Sequence, residues 1–198
     1  MNPFISFLLQ YLPLSEMEQE TLEGMLELRH YGAGDIILNE NSICRHITFI
    51  LSGKARSYFI NHSGQEFTWS FYFNDADSRF ENYFLLDYNS FLKRTPTHLN
   101  IEAIEDIECM RLSYENLQSL LVSHENIAVL NSRMSEMAYQ NVHKRAFSLL
   151  TLPARERYIQ LLNEEPGLLL KFRHYHIASY LGIAPQSLSR LRNELARE

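Results

Sequence analysis

Two periodicities divide the chain. Between Asp35 and Leu112 apolar and polar residues alternate in short runs; beyond Leu112 apolar residues recur every three or four positions to the end. The alternating half predicts strands at Asp35–Leu38, Ile47–Leu51, Ala55–Ile60, Gln65–Phe73, Leu99–Ile104 and Glu108–Leu112. Gly32 and Gly34, Gly53, the Asn61-His62-Ser63-Gly64 cluster and the Glu105-Asp106 pair punctuate them. The clearest signal is Phe67, Trp69, Phe71 and Phe73 alternating with Thr68, Ser70 and Tyr72. Short strands at this spacing predict a rolled antiparallel sheet. Before them, Ser15 caps a helix predicted over 15–29, with Leu22, Met25 and Leu26 on one face.

In the helical half, Ser113 caps a short helix through Leu121. A long helix is predicted from Glu125 to Leu150, with Ile127, Leu130, Met134, Met137 or Ala138, Val142, Ala146 and Leu149 as its apolar stripe. A helix of ~25 residues is ~38 Å long, more than a small roll covers, so a partner helix is expected to cover the stripe. Pro153 opens a further helix that stops at Pro166-Gly167. The class is α+β, with a roll domain over 1–122, a long helix over 123–150 and an all-helical domain over 151–198.

The segment His174–Arg192 predicts two short helices crossing at a tight turn. Ile177, Leu181, Ile183, Leu188 and Leu191 are apolar, and Ala178 is small enough for close approach. Gly182 suits the left-handed residue that ends the first helix, and Pro185 the first position of the second. Projected at 100° per residue, Leu188, Leu191 and Leu195 form a buried side. Gln186, Ser189, Arg190 and Asn193 gather opposite. These residue types read base edges: arginine matches guanine O6 and N7, glutamine or asparagine matches adenine N6 and N7. Lys171, Arg173, Ser187 and Arg192 flank that side, placed for phosphates.

Net charge of −6 argues against a nucleic-acid partner until its distribution is read. Residues 1–140 carry nine basic and nineteen acidic side chains; residues 141–198 carry nine basic and five acidic ones. The stretch 171–192 holds no carboxylate. Such asymmetry suits a polyanion at one end. No apolar run approaches the ~20 residues of a membrane span. Phe4–Leu9 lacks a basic flank and runs into an acidic helix, unlike a secretory signal, so a cytoplasmic protein away from membranes is expected. Cys44 and Cys109 have no metal or redox spacing and read as small buried residues. His46, His62 and His98 stand one per segment, and His174 and His176 point apart on a helix, so no metal is expected. No nucleophile triad or glycine-rich phosphate loop is present, and no enzyme is expected.

A β-roll, a long helix and a C-terminal helix-turn-helix, in that order, resemble the Crp/Fnr family of transcription regulators. Two stretches carry the resemblance: Asp35-Ile36-Ile37-Leu38 with Ile50-Leu51-Ser52-Gly53, like the first strands of the cyclic-nucleotide-binding roll, and Ile177 to Arg190, like the family's DNA-reading unit. The resemblance implies a homodimer on double-stranded DNA, and leaves RNA polymerase open as a further partner. The dimer seam would run through Ile127, Leu130, Met134, Met137 and Val142. The family's base-contacting positions fall on Pro185, Gln186 and Arg190, beside Ser189 and Asn193.

Two departures matter. Cyclic-AMP binders of the family carry a Gly-Glu pair, then an arginine that neutralises the cyclic phosphate. Aligning Ala103-Ile104-Glu105-Asp106 after that cassette puts Thr97 at the arginine; Phe80-Glu81 is the nearest substitute for Gly-Glu, and Arg94 lies three residues early. A buried phosphate without a cation is costly, so no cyclic AMP is expected. The candidate effector-pocket residues are Trp69, Phe71, Glu81, Arg94 and Thr97; the aromatics there either line a pocket for a flat or apolar ligand or fill the roll. The second departure is that only six residues follow Arg192, too few for the family's β-wing; Arg145, Arg155 or Arg157 could then supply phosphate contacts. A different class also fits the residues: a ligand-binding or enzymatic roll whose helical tail contacts other proteins.

Overall fold

The structure, a computed structural model, describes residues 2–75 and 82–197. Two helices open the chain, α1 (Pro3–Leu8) and α2 (Glu16–Met25). Ser15 caps α2 in a reciprocal box: its hydroxyl accepts the Glu18 N–H, and the Glu18 carboxylate accepts the Ser15 N–H at 2.8 Å. The roll follows: β1 (Glu27–Tyr31), β2 (Ile36–Leu38), β3 (His46–Ser52), β4 (Lys54–Ile60), β5 (Glu66–Phe73), β6 (Phe84–Leu85), α3 (Tyr88–Lys93), β7 (Asn100–Ala103) and β8 (Ile107–Ser113). The strands form two four-stranded antiparallel sheets, β1-β8-β3-β6 and β2-β7-β4-β5. The expected helix over 15–29 ends early, at Leu26. Glu27 to Tyr31 pair instead with Arg111 to Ile107 of β8, because tertiary pairing overrides local propensity.

Ile50, Ala55, Tyr72, Leu85, Ile101, Ala103, Ile107 and Cys109 fill one part of the roll. A second core joins Phe49 and Leu112 to Phe4 and Phe7 of α1. Both cysteines are buried and free; burial pushes the Cys109 thiol up to about 11. Gly53 turns β3 into β4 at φ +87°, where a Cβ would lie 2.1 Å from the Asp106 carbonyl oxygen, so only glycine fits.

A bulge interrupts β5. Ser70 pairs with Ser57 and Thr68 with Tyr58, which leaves Trp69 as the extra residue. The expected single face of Phe67, Trp69, Phe71 and Phe73 is thereby split. Phe71 and Phe73 pack against the helical domain, whereas Trp69 lines an open cavity with Tyr72.

Six helices complete the chain: α4 (Tyr114–Ser123), α5 (Glu125–Thr151), α6 (Ala154–Glu164), α7 (Leu168–Lys171), α8 (His174–Tyr180) and α9 (Pro185–Leu195). Their core of Tyr158, Leu161, Leu168, Phe172, Ile177, Ala178, Leu181 and Leu188 is continuous with Phe71 and Phe73 of β5. The rings of Phe71 and Phe172 lie 4.2 Å apart. At the same boundary the Ser179 hydroxyl accepts the Thr68 N–H at 2.8 Å and donates to the Glu66 carbonyl at 2.9 Å. Because β5 is the edge strand of its sheet, α8 supplies hydrogen bonds that a neighbouring strand would otherwise make.

Candidate nucleic-acid interface and internal cavity

The turn between α8 and α9 is built by its own residues. Gly182 takes φ +67° past the end of α8, and the Ile183 N–H returns to the Ala178 carbonyl at 3.0 Å. Pro185 occupies the first turn of α9. Ala178 is fully buried, so no bulk holds the helices apart. Leu188 is 1% exposed, and Leu191 and Leu195 pack on the same core. Pro185, Gln186, Ser189, Arg190 and Asn193 are all exposed on the other side of α9. The Ser189 hydroxyl bonds only back to Pro185 O, at 3.2 Å. Among the described residues the side chains of Gln186, Arg190 and Asn193 make no hydrogen bond or ion pair, so the whole edge is open.

Of the flanking group, Arg173 is exposed, Ser187 is half-buried, and Arg192 leans on the His174 ring. Lys171 departs from expectation. Its ammonium lies 3.0 Å from both Asp75 and the buried Glu165, and 4.4 Å from the Phe73 ring centre. These carboxylates raise its pKa, against the effect of burial, and occupy it inside the fold rather than offering it to phosphate. Arg145 and Arg157, considered for the missing phosphate contacts, are also turned inward. Arg145 donates to the carbonyls of Tyr180 and Thr68, and Arg157 donates to Leu181 at 2.8 Å.

The residues of the expected seam on α5 divide between the chain's own core and its surface. Ile127 and Leu130 are buried in the chain's own roll core, Met134 packs against that core, Met137 lines the cavity, and Val142 lines it too but is 49% exposed. A further exposed apolar face lies elsewhere on the helix. Val129, Tyr139, His143, Phe147 and Leu150 lie within roughly 80° of one another, and roughly 160° from the expected stripe. Tyr139 is 69%, Phe147 57% and Leu150 85% exposed. The rings of Tyr139, His143 and Phe147 form a ladder with centres 6.1 and 6.5 Å apart.

An open cavity of about 1190 Å³ lies between part of the roll and α5 and reaches α6 and the end of α8. Phe59, Trp69, Tyr72, Tyr83 and Leu99 give it an apolar lining, with Ser70, Asn82, Asp87 and His98 among its polar groups. The predicted pocket residues divide. Trp69 lines the cavity; Phe71 lies outside it, in the core under the helical domain. Thr97 is buried and donates to Asp87 Oδ2 at 2.5 Å, while Asp87 Oδ1 caps α3 through the Asn89 and Ser90 N–H groups. Arg94 ends α3 at φ +58° and turns away: it donates to the Cys44 carbonyl at 3.0 Å and lies 4.3 Å from the Tyr114 ring centre. Glu81 lies outside the described residues. No group of three or more His, Cys, Asp or Glu among the described residues could hold a metal ion, and no helix among them is long and apolar enough to cross a membrane.

Residues 28–124 match the family described as Cyclic nucleotide-binding domain. Several solved structures share the whole architecture. FixK2 from Bradyrhizobium japonicum is similar at a TM-score of 0.73 and 18% identity, over 87% of this chain and 85% of that one. A chain from Eubacterium rectale, assigned to the crp/fnr family of transcriptional regulators, gives a TM-score of 0.69 at 21% identity, over 92% and 84%. The roll is similar to that domain family over those residues, and the chain has the fold of the Crp/Fnr regulators. CooA from Carboxydothermus hydrogenoformans shares that fold at a TM-score of 0.67 and 18% identity, over 96% and 82%. No curated protein matches the sequence. Within the Crp/Fnr frame, α5 is the long helix and α8–α9 the helix-turn-helix.

Proposed function

We propose that the chain is a dimeric, sequence-specific DNA-binding transcription regulator whose effector is not cyclic AMP, if it has one. The observation that carries this is the exposed edge of Pro185, Gln186, Ser189, Arg190 and Asn193 on the second helix of a helix-turn-helix. Arg173 and Arg192 stand beside it for phosphates. A second copy would pair along the exposed face of α5 and present two reading helices ~34–36 Å apart, so the operator is a palindrome with half-sites one turn apart. RNA polymerase is a further partner wherever that operator adjoins a promoter. Nothing in this scheme needs catalysis.

The exclusion of cyclic AMP rests on Thr97 and Asp87. Where the family's arginine would meet the cyclic phosphate, a hydroxyl donates to a carboxylate, and a phosphate there would face an anion. Arg94 is held by Cys44 and Tyr114.

Selection of bound duplexes from random DNA tests the reading. A recovered palindrome supports it. A folded dimer that enriches nothing, with and without cell metabolites, favours a ligand-binding roll with a protein-contacting tail. Micromolar affinity for cyclic AMP by calorimetry overturns the exclusion.

A further inference from the structure

The last carbonyls of α8 are held by two arginines from outside the helix-turn-helix. Arg145 of α5 donates to the Tyr180 carbonyl and, from the same nitrogen, to the Thr68 carbonyl of β5 at 3.4 Å. Its guanidinium lies 3.5 Å from the Tyr180 ring centre. Arg157 of α6 donates to the Leu181 carbonyl from Nε at 3.1 Å and from Nη2 at 2.8 Å, and to the Leu152 carbonyl from Nη1 at 2.5 Å. Carbonyls at a helix end have no N–H partner within the helix and carry partial negative charge, so cationic donors suit them.

The joint that these bonds span is short. α5 ends at Thr151 and α6 begins at Ala154; Leu152 and Pro153 between them are extended, at ψ 138° and 158°. Tyr158 and Leu161 of α6 share one core with Ile177 of α8 and Leu188 of α9, so the direction of the reading helix relative to α5 is set at this joint. Arg157 ties the Leu152 carbonyl at the joint to the end of α8, and Arg145 ties α5 itself to the same end. Ser148 with Gln160, at 3.1 Å, and Lys144 with Glu164, at 2.8 Å, also cross from α5 to α6, but neither pair reaches α8. Arg145 leaves α5 about 200° around the helix from the exposed Phe147, so one helix carries the face for a second copy on one side and the grip on α8 on the other.

We infer that Arg145 and Arg157 are positioning residues that fix the angle between α5 and the helix-turn-helix, and so set the spacing of half-sites that the dimer accepts. The inference deepens the regulator reading and rests on it. Neither arginine belongs to the reading edge, so neither selects a base. One base pair is ~3.4 Å along the duplex axis, so a shift of a few ångströms at α9 changes the accepted spacing by a base pair. With both guanidiniums in place the two reading helices are held at one separation; without them each helical domain adjusts to several.

Binding of the full chain to synthetic duplexes tests this. The duplexes carry the half-site recovered by selection, either once or twice, with the paired copies at the selected spacing and at spacings one or two base pairs shorter and longer. The wild type should bind the selected spacing about tenfold or more tighter than its neighbours, because the second half-site is engaged only when both helices are in register. Arg145→Met and Arg157→Met should each reduce that ratio to about threefold or less, with the half-site sequence and the affinity for the single copy unchanged. Arg145→Lys and Arg157→Lys keep the charge but not the fork that reaches two carbonyls; they should flatten the ratio in part, and they carry the test where methionine unfolds the domain. Arg173→Ala should weaken every duplex alike and keep the wild-type ratio. A wild type indifferent to spacing, a wild-type ratio in every folded variant at both positions, or a single-copy affinity that falls as far as the paired one overturns the inference. A wild type that enriches no palindrome removes the regulator reading and this inference with it; a palindrome whose spacing the variants do not relax removes the positioning role alone.

Discussion

Ser179 and Thr68 are joined across the boundary between the roll and the helical domain: the serine hydroxyl accepts the Thr68 N–H and donates its own hydrogen bond to the Glu66 carbonyl. One side chain thus satisfies two main-chain groups of an edge strand. Ser179→Ala leaves both unpaired, at a cost of about 1–3 kcal/mol. Denaturant unfolding should show this loss, together with faster amide exchange at Thr68. A change below about 0.5 kcal/mol would mean that water replaces the serine freely.

The exposed ladder on α5 predicts where a second copy sits. Phe147→Glu and Leu150→Asp should shift sedimentation from dimer to monomer with little change in monomer unfolding. Ile127→Glu should instead unfold the roll, because Ile127 is buried in its own chain. A dimer that survives Phe147→Glu and Leu150→Asp together would move the seam elsewhere.

His176 gives a pH dependence with a defined sign. Its Nδ1 is buried without a partner, and Arg56, Glu66, Glu102 and Arg173 act on it. Arg56, 3% exposed, is itself bonded to Glu66 at 2.6 Å and Glu102 at 2.5 Å. Burial and the Arg56 charge hold the His176 pKa below its ordinary 6.5, against the pull of the two glutamates. The unfolded chain therefore takes up this proton at higher pH than the folded chain. Stability falls as pH drops below about 6.5, until the folded value is passed. His46 acts in the same direction through its own burial and Arg111. His176→Leu should make the slope shallower by part of one proton. An unchanged slope in unfolding curves from pH 7 to 5 would assign the dependence to other groups.

Phosphate contacts should separate from fold contacts by salt. Arg173→Ala should weaken binding to all sequences alike and reduce the magnitude of the slope of log K against log salt by about 1. Lys171→Ala should leave that slope alone and lower stability, because Glu165 loses a cation that faces it at 3.0 Å. A reduced slope in Lys171→Ala would return this lysine to the interface.

The helix-turn-helix was legible because its determinants are local: Gly182 at its turn, Pro185 at the helix start, and leucines one helical turn apart. The two sheets were legible from alternation and turn residues, except where pairing alone decides. Glu27–Tyr31 has no periodic signal and becomes a strand only beside β8. The Trp69 bulge, invisible in a regular alternation, sends Phe71 to the helical domain. The ion pair of Lys171 with Asp75 was hidden because Asp75 is distant in sequence. α5 has two apolar faces, and burial of Ile127 and Leu130 by the chain's own roll shows only once the roll is folded against it. Arg145 and Arg157 gave no signal as cavity residues, since their partners are main-chain carbonyls.

The central claim is that the exposed edge of α9 reads bases, and comparing the DNA sequences enriched by the wild-type chain and by Arg190→Ala tests it most directly. Both proteins should recover one palindrome, with preference relaxed at a single pair of symmetric positions in the variant and about 1–3 kcal/mol lost on the wild-type site. An identical motif at uniformly lower affinity, or no motif from either protein, would contradict it.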